Sequence, residues 1–545
     1  MRRLFFLFVS LIFTVLINSG CSKTVDREIN NPTPAPFSPN EGMLNGPLTV
    51  GGNVLEQFQS TPNDKYVIYL ADETTDGDQE LYISKTDGSE KRKLQAVPNG
   101  RDVIYFIISP DSQKVAFLMD LDSAGLYDLY TINIDGSNLT KLNQGVSLGQ
   151  TVSKTFKFTP DSSKVVFVTN EITNIRNLYI ANASAPINRI QLNSSSRAPV
   201  SSVFEIAPNG TRIVFKESNN PAHPNIASVL PNGGSEVQLN PNFTLPGSGA
   251  SDFIISPLSN KVVYRANQDN DAIYELYSVN IDGSSSSQKI NGSIVTGGSV
   301  SALSFKISPN GLKVIYIADQ DVDEKFELYS SNLDGSSNTK ISGTFAAFSD
   351  INNFKITTDS LKIIFQVNSL ISNVQEIYSV NLNGTSLLKI NSTLVSGENV
   401  GEYQVKSSTD KVVYAMDKGS VGIYNIYSNN INGSLEIKLN PNVSTGVGFY
   451  DPAQSVSTST RQLGFNYDGS RVIMHGSYQG TSIDLFSASL DGALFKKVNS
   501  QNGGTLVLNS TAEGSGFVLL STYHYAVYRY NDGTKTQLYS GLVKD

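Results

Sequence analysis

SALSFKISPNGLKVIYIADQDVDEKFELYSSNLDGSSNTKIS, residues 301–342, holds the pattern that decides the fold. SALSFKISP alternates into the turn Pro309-Asn310-Gly311, and KVIYIAD follows as an almost wholly apolar run. A short run of that kind reads as a strand buried on both faces. FELYSSNL then leads to Asp334-Gly335, and NTKIS closes the unit. Asn-Gly and Asp-Gly between such runs are hairpin signals, and the primed turns they suggest take positive φ at both central residues. The unit is four short antiparallel strands.

The same unit recurs along the chain. Its mark is an aliphatic-aromatic pair followed by a polar residue and glycine, as in Leu129-Tyr130 with Asp135-Gly136 or Leu276-Tyr277 with Asp282-Gly283. Stronger and weaker copies place the second member of the pair at 82, 130, 179, 226, 277, 329, 378, 427, 486 and 528. The spacing averages about 50 residues over ten copies, and no segment shows sustained helical periodicity. Repeated four-stranded meanders of this length read as the blades of an all-β propeller around a central channel. One ring of about ten blades and two tandem propellers both satisfy the count; the insertion at 446–460 reads as a loop, because a boundary there leaves only two blades behind it. Pro110-Asp111-Ser112 before KVAFL, with Leu129-Tyr130 before Asp135-Gly136, resembles the TolB-type, WD-like propeller repeat. The resemblance covers residues from about 50 to 540. It implies architecture, since unrelated proteins use this repeat for different ends.

Composition narrows the classes around that body. The chain has 545 residues, 41 basic against 49 acidic, for a net charge of −8. An acidic chain lacks the electrostatic footprint of a nucleic-acid binder. A single cysteine, Cys21, excludes an intramolecular disulfide and a cysteine-based zinc site.

That cysteine closes a leader. Arg2 and Arg3 precede the apolar run Leu4–Ile17, and Asn18-Ser19-Gly20 lead into Cys21. A basic region, an apolar run and small residues at the cut describe a secretory signal peptide. Ser19-Gly20-Cys21 resembles the lipobox of bacterial lipoproteins, with Asn18 where that family usually has Leu. The resemblance implies cleavage before Cys21 and its lipidation, palmitate included; with Ser22 rather than Asp next, it implies the outer membrane, facing periplasm or cell surface. Loss of Arg2 and Arg3 takes the net charge to −10. The expected organisation is a signal peptide over 1–20, a proline-bearing disordered tether over 21–42 and the propeller over 43–545.

Strand order assigns loops to rims. The loop after each second strand shares one rim with the long connector into the next unit, and the tight turns share the other. Long loops on a rigid scaffold are where function gathers, so the connector rim is the expected binding face. It also carries acidic clusters. Asp319, Asp321, Asp323 and Glu327 stand at positions 1, 3, 5 and 9 of a loop; Asp72, Asp76 and Glu80 repeat the spacing, as do Asp269, Asp271 and Glu275. Alternating oxygens can serve Ca²⁺, although no glutamate stands at position 12. The competing reading is that Asp, Asn and Gly build the loop and cap its backbone. No other cofactor is indicated. No Gly-x-Ser-x-Gly elbow or glycine-rich phosphate loop is found. The expectation is therefore a lipid-anchored envelope binding or scaffold protein, not an enzyme, engaging a protein or glycan through that rim and touching the membrane only by its anchor. The alternative is a propeller hydrolase or lyase acting on polysaccharide.

Overall fold

In the computed structural model, four-residue turns and three-residue turns alternate with strands just where the repeat places them. The structure describes residues 49–543 apart from 51, 53, 86–88, 96–97, 99, 124, 145–150, 171–175, 186–188, 195–199, 218–222, 347, 370–372, 442–447, 450–462, 466–468, 477–483, 498–523 and 532–535. The leader, Cys21 and the tether lie outside the described residues. Among the described residues nine sheets carry four strands in sequential antiparallel order, and the hairpin His524–Asn531 with Thr536–Val543 forms a tenth. The chain is an all-β propeller, and its sheets are numbered here from one to ten.

Sheet six shows why the sequence folds this way. Its strands are Val300–Ile307, Lys313–Ala318, Glu327–Asn332 and Thr339–Lys340. Successive side chains of a strand point to opposite faces. Val314, Tyr316 and Ala318 therefore pack with Val263, Leu276 and Ile290 of sheet five. Ile315 and Ile317 pack on the other side with Ile351, Phe354 and Phe365 of sheet seven. The near-continuous apolar run is thus buried on both faces, and the core is a series of interfaces between neighbouring sheets. Such interfaces link every sheet from the first to the ninth. Strand Thr536–Val543 lies beside the first strand, Val54–Ser60, so the two ends of the array meet.

The recurring aromatic is a core residue. Tyr316 pairs across the sheet with Tyr329, and their rings stack with centroids 5.5 Å apart. Tyr69–Tyr82 and Tyr264–Tyr277 repeat the stack at the same spacing.

In three of the sheets a side chain from the first strand of the preceding sheet bonds a backbone carbonyl of the first strand. Lys306 Nζ donates to the carbonyl of Phe354 at 2.9 Å, and Lys355 Nζ to that of Tyr403 at 2.7 Å. Gln57 Nε2 does the same for Phe106 at 3.0 Å. Unpaired strand edges invite wrong partners, and these bonds occupy them.

The turns depart from the expected type. In Leu333-Asp334-Gly335 only Gly335 has positive φ, +82°, and its N–H bonds the carbonyl of Asn332. This is the three-residue hairpin loop, a type I turn closed by a left-handed glycine, not a two-residue primed turn. Asp334 works through its side chain: the Ser336 N–H and hydroxyl donate to it at 2.9 and 2.6 Å. Asp135 with Ser137 and Asp282 with Ser284 do the same. These hydrogen bonds hold all three carboxyls below the usual carboxylate range. A depressed folded-state value contributes stability above the unfolded pKa, and that contribution is lost as pH falls through the folded value. Below about pH 4 the protein should therefore lose stability, and the combined Asp135→Asn, Asp282→Asn, Asp334→Asn variant should lose less of it. Urea unfolding at pH 7 and pH 3 measures the difference.

Gly335 also sits where a Cβ would lie 2.6 Å from the carbonyl oxygen of Lys289 in sheet five. Gly77, at φ +89°, has open space around it. Gly77→Ala should therefore lose about 1–2 kcal/mol, the backbone term alone. Gly335→Ala should lose roughly 3 kcal/mol, because backbone cannot move aside as a side chain can.

Candidate functional site

In five of the described sheets a carboxylate or an amide just after the second strand organises the connector rim. Asp319 directly follows the second strand of sheet six and is 4% exposed. One oxygen accepts the Ser299 N–H of the incoming connector at 2.5 Å, and the other the Glu324 N–H of its own loop at 3.2 Å. Asp120 holds Asp102 and Gly125 at 2.7 and 2.8 Å. Asp417 holds Asn399 and Gly422 at 2.5 and 2.8 Å. Asp72 accepts from Gly77 at 3.0 Å, and Asn267 from Gly249 at 2.7 Å.

The connector then reaches back to the preceding sheet. Asp350 accepts the Phe326 N–H at 3.1 Å, Asn399 that of Gln375 at 2.8 Å, and Asp102 that of Gln79 at 2.9 Å. Loop, connector and neighbouring sheet are stitched by carboxylates and amides accepting backbone N–H groups, which would otherwise be left without acceptors. The opposite rim uses hydroxyls instead. Ser360 Oγ accepts the Asn310 N–H of the previous sheet's turn at 2.9 Å, and Ser162 Oγ that of Asp111 at 3.0 Å.

The ninth-position acids face lysines. Glu80 lies 2.5 Å from Lys93, Glu275 2.7 Å from Lys289, and Glu327 3.0 Å from Lys340. The hydroxyls of Tyr82, Tyr277 and Tyr329 donate to the same glutamates. Burial pushes these phenols up, and the adjoining carboxylates push them further. Burial lowers Lys340, but the hydrogen bond and charge of Glu327 outweigh it and leave it raised. These lysines escaped the loop-centred reading. Their signal is a lysine followed by Ile or Leu near the end of the repeat, as in Lys93-Leu94, Lys289-Ile290, Lys340-Ile341 and Lys389-Ile390, with Asn291 and Asn391 completing two of these. The asparagine is structural too: Asn291 Oδ1 accepts the Leu276 N–H at 2.7 Å, and Asn391 Oδ1 that of Ile377 at 2.8 Å.

The remaining loop acids do not converge. Asp269 lies 2.9 Å from Lys289 and Asp321 3.5 Å from Lys340. Asp76, Asp271 and Asp323 are exposed. Among the described residues no three His, Cys, Asp or Glu side chains come together closely enough to hold a metal. The loop carboxylates meet backbone N–H groups and lysines rather than one another, which fits the backbone-capping reading better than the Ca²⁺ one. Millimolar Ca²⁺ should accordingly leave the melting temperature unchanged. A saturable rise in a thermal scan would restore the ligand role.

His223 is a rim residue whose Nδ1 lies 2.7 Å from the carbonyl oxygen of Ser248. On the opposite rim a cleft of about 410 Å³ lies between sheets four and five, lined by Thr211, Arg212, Leu230, Asn260, Ile281 and Asp282 among others.

No family model matches the chain, and no curated protein matches it. Solved structures similar to it include dipeptidyl peptidase 4 of Porphyromonas gingivalis, with 10% identity over 78% of this chain and 65% of that one and a TM-score of 0.48. A TolB of Agrobacterium tumefaciens shows 16% identity over 47% of this chain and 86% of that one, with a TM-score of 0.28. Oligogalacturonate lyase of Vibrio parahaemolyticus shows 14% over 69% and 98%, with a TM-score of 0.36. The chain spans 55% of the length of a prolyl endopeptidase that it also matches. The likeness is one of fold and carries no activity across.

Proposed function

We propose that the chain is a lipid-anchored protein of the bacterial envelope that binds a protein or glycan partner through the connector rim of its propeller. The observation that supports this best is how the rim is built. Buried carboxylates such as Asp319 and Asp417 fix the loop and connector backbones, while residues 321–323 and 418–421 between the fixed points of their loops stand in solvent. A binding surface needs its loops ordered before the partner arrives, because ordering them on contact subtracts from affinity. The anchor is Cys21, with the outer membrane as its expected location.

Capture from envelope extract tests the reading. The wild-type chain should retain a saturable partner, and rim variants should lose it. Recovery of no partner, or capture indifferent to the rim, would contradict it. Turnover of a polysaccharide panel, abolished by one rim carboxylate substitution, would replace binding by hydrolysis or lysis. Labelling with a palmitate analogue should mark the wild type and not Cys21→Ala.

A further inference from the structure

Four apolar side chains stand out on one arc of the connector rim. Val322 in the loop of sheet six is 52% exposed, and Phe348 in the connector to sheet seven is 66% exposed. Val395 in the next connector and Val421 in the loop of sheet eight are 64% and 65% exposed. The backbone places them in two neighbouring pairs. The Phe326 N–H bonds Asp350 and the Ile351 N–H bonds the Phe326 carbonyl, so the connector bearing Phe348 lies against the loop bearing Val322. A Cβ on Gly397 would lie 3.8 Å from Val421, so the connector bearing Val395 lies against that loop. Sheet seven lies between the loops bearing Val322 and Val421, which are two packing steps apart, about 20 Å for packed sheets.

Phe348 could have turned inward. Phe345, three residues earlier in the same connector, packs edge-on against Phe365 and Tyr378 with centroids 6.2 and 5.0 Å away. Phe348 instead takes φ +60°, a region bulky residues rarely adopt, and faces solvent. Around Val322 stand the exposed acids Asp321, Asp323 and Glu324. The cations nearby are Lys418, exposed beside Val421, Lys325, whose ammonium lies 3.3 Å from Glu327, and Lys340, which lies 3.0 Å from Glu327 and 3.5 Å from Asp321. Asp323 and Glu324 are thus the acids beside Val322 for which no lysine contact is found among the described residues.

We infer that this arc docks an apolar, net-basic polypeptide segment of a protein partner. The inference rests on the connector-rim reading above and narrows it: protein rather than glycan, sheets six to eight rather than the whole rim. Apolar side chains supply contact area, while the acids select a positively charged segment and speed its approach.

The test uses the full chain carrying Cys21→Ala, so that no acyl group takes part. Fluorescence anisotropy follows a labelled peptide of six Leu-Lys repeats, with Leu-Glu and Ser-Lys repeats for comparison. The Leu-Lys peptide should bind saturably, and Phe348→Ser with Val421→Ser should weaken it about tenfold. Leu312→Ser, on the opposite rim, should leave it unchanged. All three side chains are exposed, so the melting temperature should hold in each variant. Equal binding by the double variant, equal binding of the Leu-Glu peptide, or retention of phosphatidylglycerol vesicles in place of the peptide would each overturn the inference. If envelope capture depends on the rim while the double variant still binds the peptide normally, the scaffold reading stands and this inference falls.

Discussion

Tyr316→Ala should lower the unfolding free energy by roughly 3–5 kcal/mol, the range for truncating a large buried aromatic. The ring is fully buried between sheets five and six and stacks on Tyr329. Its hydroxyl donates to Gln320 at 2.8 Å and accepts from Asn338 at 2.6 Å. The alanine variant therefore opens a cavity and leaves two amides short of a partner. Tyr316→Phe keeps the ring and should lose only about 1–3 kcal/mol, the range for a buried polar group deprived of its bond. Leu312→Ser, 61% exposed in the turn between the first two strands of the same sheet, should stay within about 0.5 kcal/mol. Urea unfolding of the three variants measures the order. Equal losses for the alanine and phenylalanine variants would mean that the packing between sheets matters less than the hydroxyl network.

The second large effect is expected at Asp319. Alanine there leaves the Ser299 and Glu324 N–H groups without their acceptor; Glu324 is exposed and its N–H can turn to water, while the half-buried Ser299 donor costs about 1–3 kcal/mol. The loss should total roughly 1–3 kcal/mol. It should be local before it is global: amide exchange should quicken at Ser299 and Glu324 while the Asn310 amide, held by Ser360 on the other rim, keeps its protection. Asp319→Asn keeps one acceptor oxygen and should fall between wild type and alanine. Uniform loss of protection across both rims would show that the carboxylate supports the whole sheet and not the rim in particular.

The fold was legible because its signals are local and repeated. KVIYIA is apolar throughout, and a strand covered on both faces by neighbouring sheets has no polar side to show. Asp334-Gly335 announced a hairpin but not its kind, since a left-handed glycine ends a three-residue loop as readily as it fills a two-residue one. The acidic loops were harder. Asp319, Asp321 and Asp323 alternate as metal ligands do, and nothing within the loop says what they face. The answer lies elsewhere in the chain: Lys340 stands thirteen residues beyond Glu327 and reaches it only through the pairing of the third and fourth strands. Ser299 meets Asp319 because a connector returns to the loop of its own sheet. Such partners are fixed by register and topology, which the residues of one loop do not carry.

Site-specific photo-crosslinking in intact envelopes tests the central claim most directly. A photoreactive side chain placed at Phe348 reports on the connector rim, and one placed at Leu312 reports on the turn rim. Discrete adducts with a protein partner should form from position 348 and not from position 312. Adducts from position 312 alone, or from neither position, would contradict a connector rim that serves as the binding face.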